Sequence, residues 1–567
     1  MSLFVSLSSS TLHSPSFSSS SSSPRDKKNE MHRMVDWWGL CAALASSSPY
    51  LVLLNDLLLI PIWHYVLAFL TISFAFLYYF LEFHFLHDLF TGFRGCPVTL
   101  TYHSSSHIYH DVVSKCRILH SRYLVTPWLS SPHVQTAFLS IFGRPPLFNY
   151  RRQLFHLSDG GTIALDWLLN SDVLGNNFDI TTAIPKDDIN PIVLAIPGLT
   201  SDSESASIKH LAFNTAQKGW NVVVINHRGL GGVPITSDCF YDAGWTEDLR
   251  AVINHLHHEY PNAPLFVVGM SMGANILVKY LGEDGDSIPV AGAVAICSPW
   301  DLLISDRFLH RRLLQKIYGR VLAIGLQDYV QLHRPIFSRL TNWEGIKKSR
   351  SIRDFDHHAI RLLGKFETVD TYYRHCSSAS YVGNVSVPLL CISALDDPVC
   401  TWEAIPWDEC RANLNIVLAT TKRGGHLAFF EGLTATGIWW VRAVDEFLKV
   451  LHCSQHMHVK KVASSYPPLI IEPGEGKISA ERDQQRSQPK SDSLANVVQS
   501  SEQATMPLDV IAHARRCLDL LSRQSRWPLW LLVYTAIMTS WPMVGSVLKI
   551  ALQKKLRNVL PDAFLKT

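Results

Sequence analysis

Leu265-Phe266-Val267-Val268-Gly269-Met270-Ser271-Met272-Gly273-Ala274-Asn275 is an apolar run that breaks at Gly-x-Ser-x-Gly and resumes as a helix-forming stretch. Read physically, it is a buried strand, a cramped turn and a helix start. The serine of such a turn sits in a strained backbone conformation, and side chains at 269 and 273 would clash with the flanking strand and helix, so glycine is required there. That geometry holds Ser271 Oγ at a sheet edge, where a histidine can reach it.

Outward from this stretch the pattern is that of a soluble domain from about 115 to 452. Short apolar or β-branched runs at 191–196, 221–225, 265–269, 290–296, 388–393 and 414–419 alternate with helical stretches. Such alternation predicts a mostly parallel sheet with helices on both faces. Between about 300 and 387 the strands stop, and apolar, aromatic and basic residues read as helices. An insertion at that point lies over the sheet's catalytic edge and is a candidate lid.

A serine hydroxyl has too high a pKa to attack unaided, so it needs a base, a group orienting that base, and donors for an oxyanion. Cys391-Ile392-Ser393-Ala394-Leu395-Asp396-Asp397-Pro398 places two carboxylates just past an apolar strand, and Lys422-Arg423-Gly424-Gly425-His426 places a histidine after the next. The order Ser271, aspartate, His426 is that of an α/β-hydrolase fold. Asp396 stands at the distance where this fold presents its acid, whereas Asp397 precedes proline and reads as the start of a turn. The expected triad is therefore Ser271, Asp396 and His426. Backbone amides of Leu199, in the Ile196-Pro197-Gly198-Leu199-Thr200 loop, and of Met272 are the expected oxyanion donors.

Four stretches carry a resemblance: Pro197-Gly198-Leu199-Thr200, Asn226-His227-Arg228-Gly229, Phe240-Tyr241-Asp242-Ala243-Gly244-Trp245-Thr246-Glu247-Asp248-Leu249-Arg250, and Gly269 to Asn275. The chain resembles the plant embryogenesis-associated α/β-hydrolases, relatives of membrane-anchored α/β-hydrolase-domain lipases and of a bacterial esterase group. Pro127-Trp128-Leu129 and Pro132-His133-Val134-Gln135-Thr136 extend the likeness ahead of the fold, which spans roughly 115 to 452. The resemblance implies hydrolysis of carboxylic esters, with acylglycerols or phospholipids as substrates and no cofactor, and it maps the triad onto Ser271, Asp396 and His426. Ser201-Asp202-Ser203 departs from the glycine-richer continuation the family carries after Pro-Gly-Leu-Thr. Asp248 and Arg250 read as ion-pairing residues that fix their helix.

The rest of the 567 residues divides by composition. Residues 1–30 form a Ser-rich leader that resembles a plastid transit peptide or a plain unstructured tail. Residues 37–83 form a membrane-anchor region: a first apolar run to Leu54, closed by Asp56, and a second from Leu57 to Leu81 long enough to span a bilayer. One or two spans fit. Residues 454–503 read as a disordered linker, and 504–567 as a helical extension with membrane-associated character around Trp527 to Val547.

Net charge is only +3, with 17% charged residues and no long basic block, so nucleic acid is not an expected partner. Lipid or small-ester substrates and a membrane are, with a plastid membrane favoured over the endoplasmic reticulum. Eleven cysteines without a Cys-x-x-Cys pair read as packed, reduced thiols. His103, His107 and His110 lack a convincing acidic or cysteine ligand set, so no metal is expected. The Gly229-Leu230-Gly231-Gly232 loop lacks the Lys-Ser/Thr of a phosphate-binding loop. Two other readings remain: acyl transfer through the same triad, and a membrane scaffold on a retired hydrolase fold, which predicts a damaged triad.

Overall fold

The computed structural model describes residues 60–173 and 188–458. The Ser-rich leader, the first apolar run, nearly all of the linker and the C-terminal extension lie outside the described residues. By itself, α1 (Ile62–Phe80) is a helix of 19 residues that carries no Asp, Glu, Lys or Arg. Among the described residues it is the one helix long and apolar enough to cross a membrane.

Nine strands among the described residues form one sheet: β1 (Thr99–Tyr102), β2 (Arg151–His156), β3 (Thr162–Leu168), β4 (Ile192–Ile196), β5 (Asn221–Asn226), β6 (Leu265–Met270), β7 (Gly292–Ile296), β8 (Leu389–Ala394) and β9 (Ile416–Thr421). Their order is β1-β9-β8-β7-β6-β4-β5-β3-β2. The six strands from β9 to β5 are parallel. Antiparallel strands β1, β3 and β2 complete the two ends. All six expected strands are present. The three antiparallel ones are additional, and β1 brings the start of the sheet to Thr99, ahead of the expected boundary near 115.

Their composition explains why. β2 begins Arg151-Arg152 and is partly exposed, while β3 carries Asp166 in an otherwise apolar run. Asp166 is nonetheless buried, because Arg152 Nε and Nη2 each reach it at 2.7 Å, Asn226 Nδ2 at 2.7 Å and Ser203 Oγ at 2.5 Å. A buried charge satisfied this way is invisible to a hydrophobic pattern.

Side chains alternate across the sheet. On one face Val193, Ala195, Val224, Phe266 and Val268 pack with α3 (Ala206–Gln217) and with a C-terminal helix over Trp439–His452. The other face, with Leu194, Ile196, Val223 and Val267, packs against α4 (Glu247–Glu259) and α5 (Met272–Asp284). Register decides the rest. Ile196 pairs with Gly269, Met270 with Ile296, and Ile296 with Ile392, so the loops after β4, β6, β7 and β8 emerge together at the C-terminal edge.

The Trp245 to Arg250 stretch pins α5, the helix that starts beside Ser271. Thr246 Oγ1 donates to Glu283 Oε2 at 2.6 Å, and Arg250 Nη2 reaches Asp284 Oδ1 at 2.8 Å. Asp248 instead binds Arg228, at 2.6 and 2.8 Å, and Trp245 lies under the same guanidinium at 5.6 Å. Asp248 and Arg250 thus do make ion pairs: Arg250 holds Glu247 on its own helix at 2.8 Å, and both residues also reach partners on other elements, which ties three segments together. Breaking one member of a buried pair strands the other charge. Asp248→Ala is expected to lower stability by about 3 kcal/mol, checked by urea denaturation.

Candidate active site

Ser271 occupies the turn between β6 and α5 with φ of 52°, a left-handed conformation that costs a non-glycine residue energy. Its amide donates to Ile296 O at 2.8 Å and its carbonyl accepts from Ala274 N at 3.0 Å, so the strain is held from both sides. The two glycines explain themselves sterically. A Cβ at Gly269 would sit 2.6 Å from Gly273 O, and one at Gly273 would press into the carbonyl oxygens of Ile196 and Pro197. The β4 loop therefore touches the Ser271 turn, and a Cβ on Gly198 would lie 3.1 Å from Ser271 Cβ. Leu199 follows Gly198, and Met272 opens α5, where a first-turn amide has no partner within its own helix.

His426 stands on the loop after β9. Its Nε2 lies 3.0 Å from Ser271 Oγ and its Nδ1 2.9 Å from Asp397 Oδ2. A carboxylate only accepts, so Nδ1 carries a proton and Nε2 faces the serine as an acceptor. Thr136 Oγ1, from α2 (Pro132–Ile141), accepts the His426 amide at 2.9 Å.

The expected acid, Asp396, is displaced by one residue: Asp397 meets the imidazole. The turn role given to Asp397 is also real. Its Oδ1 accepts the amides of Val399 at 2.8 Å and Cys400 at 2.9 Å, which fixes the turn and leaves Oδ2 for His426. A carboxylate has two oxygens, and assigning Asp397 to the turn alone overlooked the second one. Asp396 points elsewhere and accepts Gly425 N at 2.9 Å through Oδ1, one residue from His426, while its Oδ2 is buried without a hydrogen-bond partner. Burial, then the neighbouring Asp397 charge, push the Asp396 carboxyl up to about 7.

Two thiols border the site. Cys297, at the end of β7, has its Sγ within 4.8 Å of the Asp397 and His426 ligand atoms, which makes this the one His/Cys/Asp/Glu group among the described residues close enough to share an ion. The 2.9 Å bond between Asp397 and His426 occupies two of those three atoms with each other. Cys297 and Cys400 are held well above the usual thiol range by burial, which keeps both thiols protonated and unreactive. No alternation of residues announced either. Positive φ values at Thr200, Ser271, Cys297, Trp300 and Leu427 gather on these loops.

Between β7 and β8 the structure has helices and no strand. One of them, α6 (Leu313–Leu332), covers the catalytic edge: Tyr318 Oη lies 3.3 Å from His133 Nδ1 on α2, Tyr329 Oη donates to Arg228 O at 2.8 Å, and Gly325 abuts Thr200.

A strained serine, a tautomer-fixed histidine and a buried aspartate in hydrogen-bonded line are the parts of a serine hydrolase. The serine aminopeptidase S33 family model matches residues 187–431, which contain all three. Embryogenesis-associated protein EMB8 of Picea glauca is 35% identical over 352 residues, 61% of this chain and 76% of that protein. The chain belongs to the embryogenesis-associated α/β-hydrolases. This hydrolase is also similar to human phospholipase ABHD3, at 31% identity over 56% of this chain and 76% of that protein. A monoacylglycerol lipase of Saccharomyces cerevisiae is 27% identical over 47% of this chain and 61% of the lipase. The hydrolase is thus an enzyme of the serine carboxylic-ester hydrolase type.

Asp396 has a measurable signature. A carboxyl that stays protonated on folding contributes stability in full below its ordinary value of 3.8, and that contribution falls as pH rises to about 7. Asp396→Asn keeps the acceptor for Gly425 and removes the titration. From about pH 4 to 7 its melting temperature is expected to decline less steeply than the parent's, read by thermal denaturation across that range.

Proposed function

We propose that this hydrolase is a membrane-bound enzyme that cleaves acyl esters of glycerolipids through Ser271, His426 and Asp397. The observation that carries the reading is the continuous Ser271–His426–Asp397 line under a helical cover, in a chain that also holds an apolar helix of membrane-spanning length. The relatives named phospholipase and monoacylglycerol lipase favour glycerolipid esters as the substrate class.

In the proposed reaction His426 Nε2 takes the proton of Ser271 as Oγ forms a bond to the ester carbonyl carbon. Amides of Leu199 and Met272 stabilise the oxyanion. Collapse breaks the bond to the leaving alcohol, which takes the proton from His426, and an acyl-enzyme remains. Water, deprotonated by the same nitrogen, then attacks the acyl carbon; collapse breaks its bond to Ser271 Oγ, which takes the proton back from His426 as the fatty acid leaves. Asp397 fixes the imidazole tautomer and stabilises its cation. Asp396 acts only through Gly425, as a support for the His426 loop.

Ser271→Ala is expected to abolish hydrolysis of vesicle phospholipid and of soluble esters, and labelling by a fluorophosphonate probe. Asp397→Asn should reduce kcat by roughly 10³–10⁴, whereas Asp396→Asn should stay within about tenfold of the parent. Steady-state assays on purified full-length protein decide between the carboxylates. Equal losses for the two asparagine variants would refute the assignment, and lipidomic comparison with Ser271→Ala reads out the substrate.

A further inference from the structure

Helix α6 has two apolar faces. Gln315, Gly319, Ala323, Leu326 and Val330 recur at helical spacing and are buried against the domain. Rotated roughly half a turn away, Leu313, Ile317, Val321 and Ile324 form a second row, spaced four, four and three residues apart. These four side chains are 63%, 50%, 59% and 42% exposed. An ordinary cover helix of a soluble enzyme presents polar residues there, because a contiguous exposed apolar row marks an interaction surface.

The flank of this row states its partner's chemistry. Arg312, Lys316 and Arg320 stand one position ahead of Leu313, Ile317 and Val321, so a basic row runs beside the apolar one. All three are exposed, and Asp328 is the only acidic residue in α6. An apolar stripe bordered by cations is the composition of a helix that lies in the headgroup region of an anionic leaflet. Chain connectivity points the same way. Arg312 Nη1 reaches Glu82 Oε1 at 3.3 Å, and Glu82 is two residues beyond the end of α1 in sequence.

We infer that the outer face of α6 is a membrane-docking surface, seated through Leu313, Ile317, Val321 and Ile324 on a leaflet with anionic headgroups. The inference rests on the proposed insertion of α1 into the bilayer. Docking there places the helix that packs on Thr200 and His133 at the lipid surface.

The test uses the full chain reconstituted in phosphatidylcholine vesicles with and without phosphatidylglycerol. Ile317→Gln combined with Val321→Gln keeps good helix formers at exposed positions. Turnover of vesicle phospholipid is expected to fall by about tenfold, while turnover of soluble p-nitrophenyl butyrate and fluorophosphonate labelling stay within about twofold of the parent. A benzophenone side chain placed at 317 should cross-link to phospholipid, more with phosphatidylglycerol present. Unchanged vesicle turnover, an equal loss on both substrates, or cross-linking to a second copy of the chain would each overturn the docking surface. Failure of the underlying reading looks different: the parent itself would turn over neither ester and take no fluorophosphonate label.

Discussion

The contact between the β4 loop and the Ser271 turn is the constraint on which the site depends. A serine held at φ of 52° relaxes unless its neighbours forbid it, and here they do so by leaving no room. Gly273 lies against the carbonyls of Ile196 and Pro197, and Gly269 against the first turn of α5. β4 and β6 must therefore be adjacent and in one register for the turn to exist. Ile196 opposite Gly269 meets that condition, and the same adjacency brings Gly198 beside the hydroxyl. Ser271 and the loop after β4 are positioned by a single packing requirement.

A second layer keeps α5 from relieving the strain by sliding. Its far end is held by Thr246 and Arg250, and the segment carrying those residues is locked to Arg228 through Asp248 and Trp245. Asn275, in the first turn of α5, donates to the carbonyls of Ala243 and Cys376 and accepts from Ser378 N. These are buried polar groups with their partners in place, the condition under which they specify one arrangement. The stretch from Trp245 to Arg250 is thus mechanical, a brace for the helix that begins at Ser271.

Legibility in the sequence followed burial. The six parallel strands are covered on both faces, so each reads as a near-continuous apolar run between turn residues. β2 and β3 carry Arg151, Arg152 and Asp166 and satisfy those charges by pairing, which hydrophobic pattern cannot register, and β1 is an edge strand of only four residues. Ser271 and His426 were legible because a strained turn and a strand-end loop leave marks in glycine, at 269, 273, 424 and 425. The choice between Asp396 and Asp397 left no such mark. It depends on which way two adjacent side chains point beyond β8, and the alternation that orders a strand has ended by then.

That one-residue difference separates two electrostatic fates. Asp397 is buried with both oxygens occupied, one by the amides of Val399 and Cys400 and the other by the His426 imidazole. Asp396 has one amide and an unpartnered oxygen in an apolar setting beside the Asp397 charge, so protonation is the cheaper state up to about pH 7. Two ionised carboxylates side by side would raise the cost of both. The Asp396 bond to Gly425 meanwhile holds the backbone from which His426 projects. Two identical side chains differ in role because one finds partners for both oxygens and the other for only one.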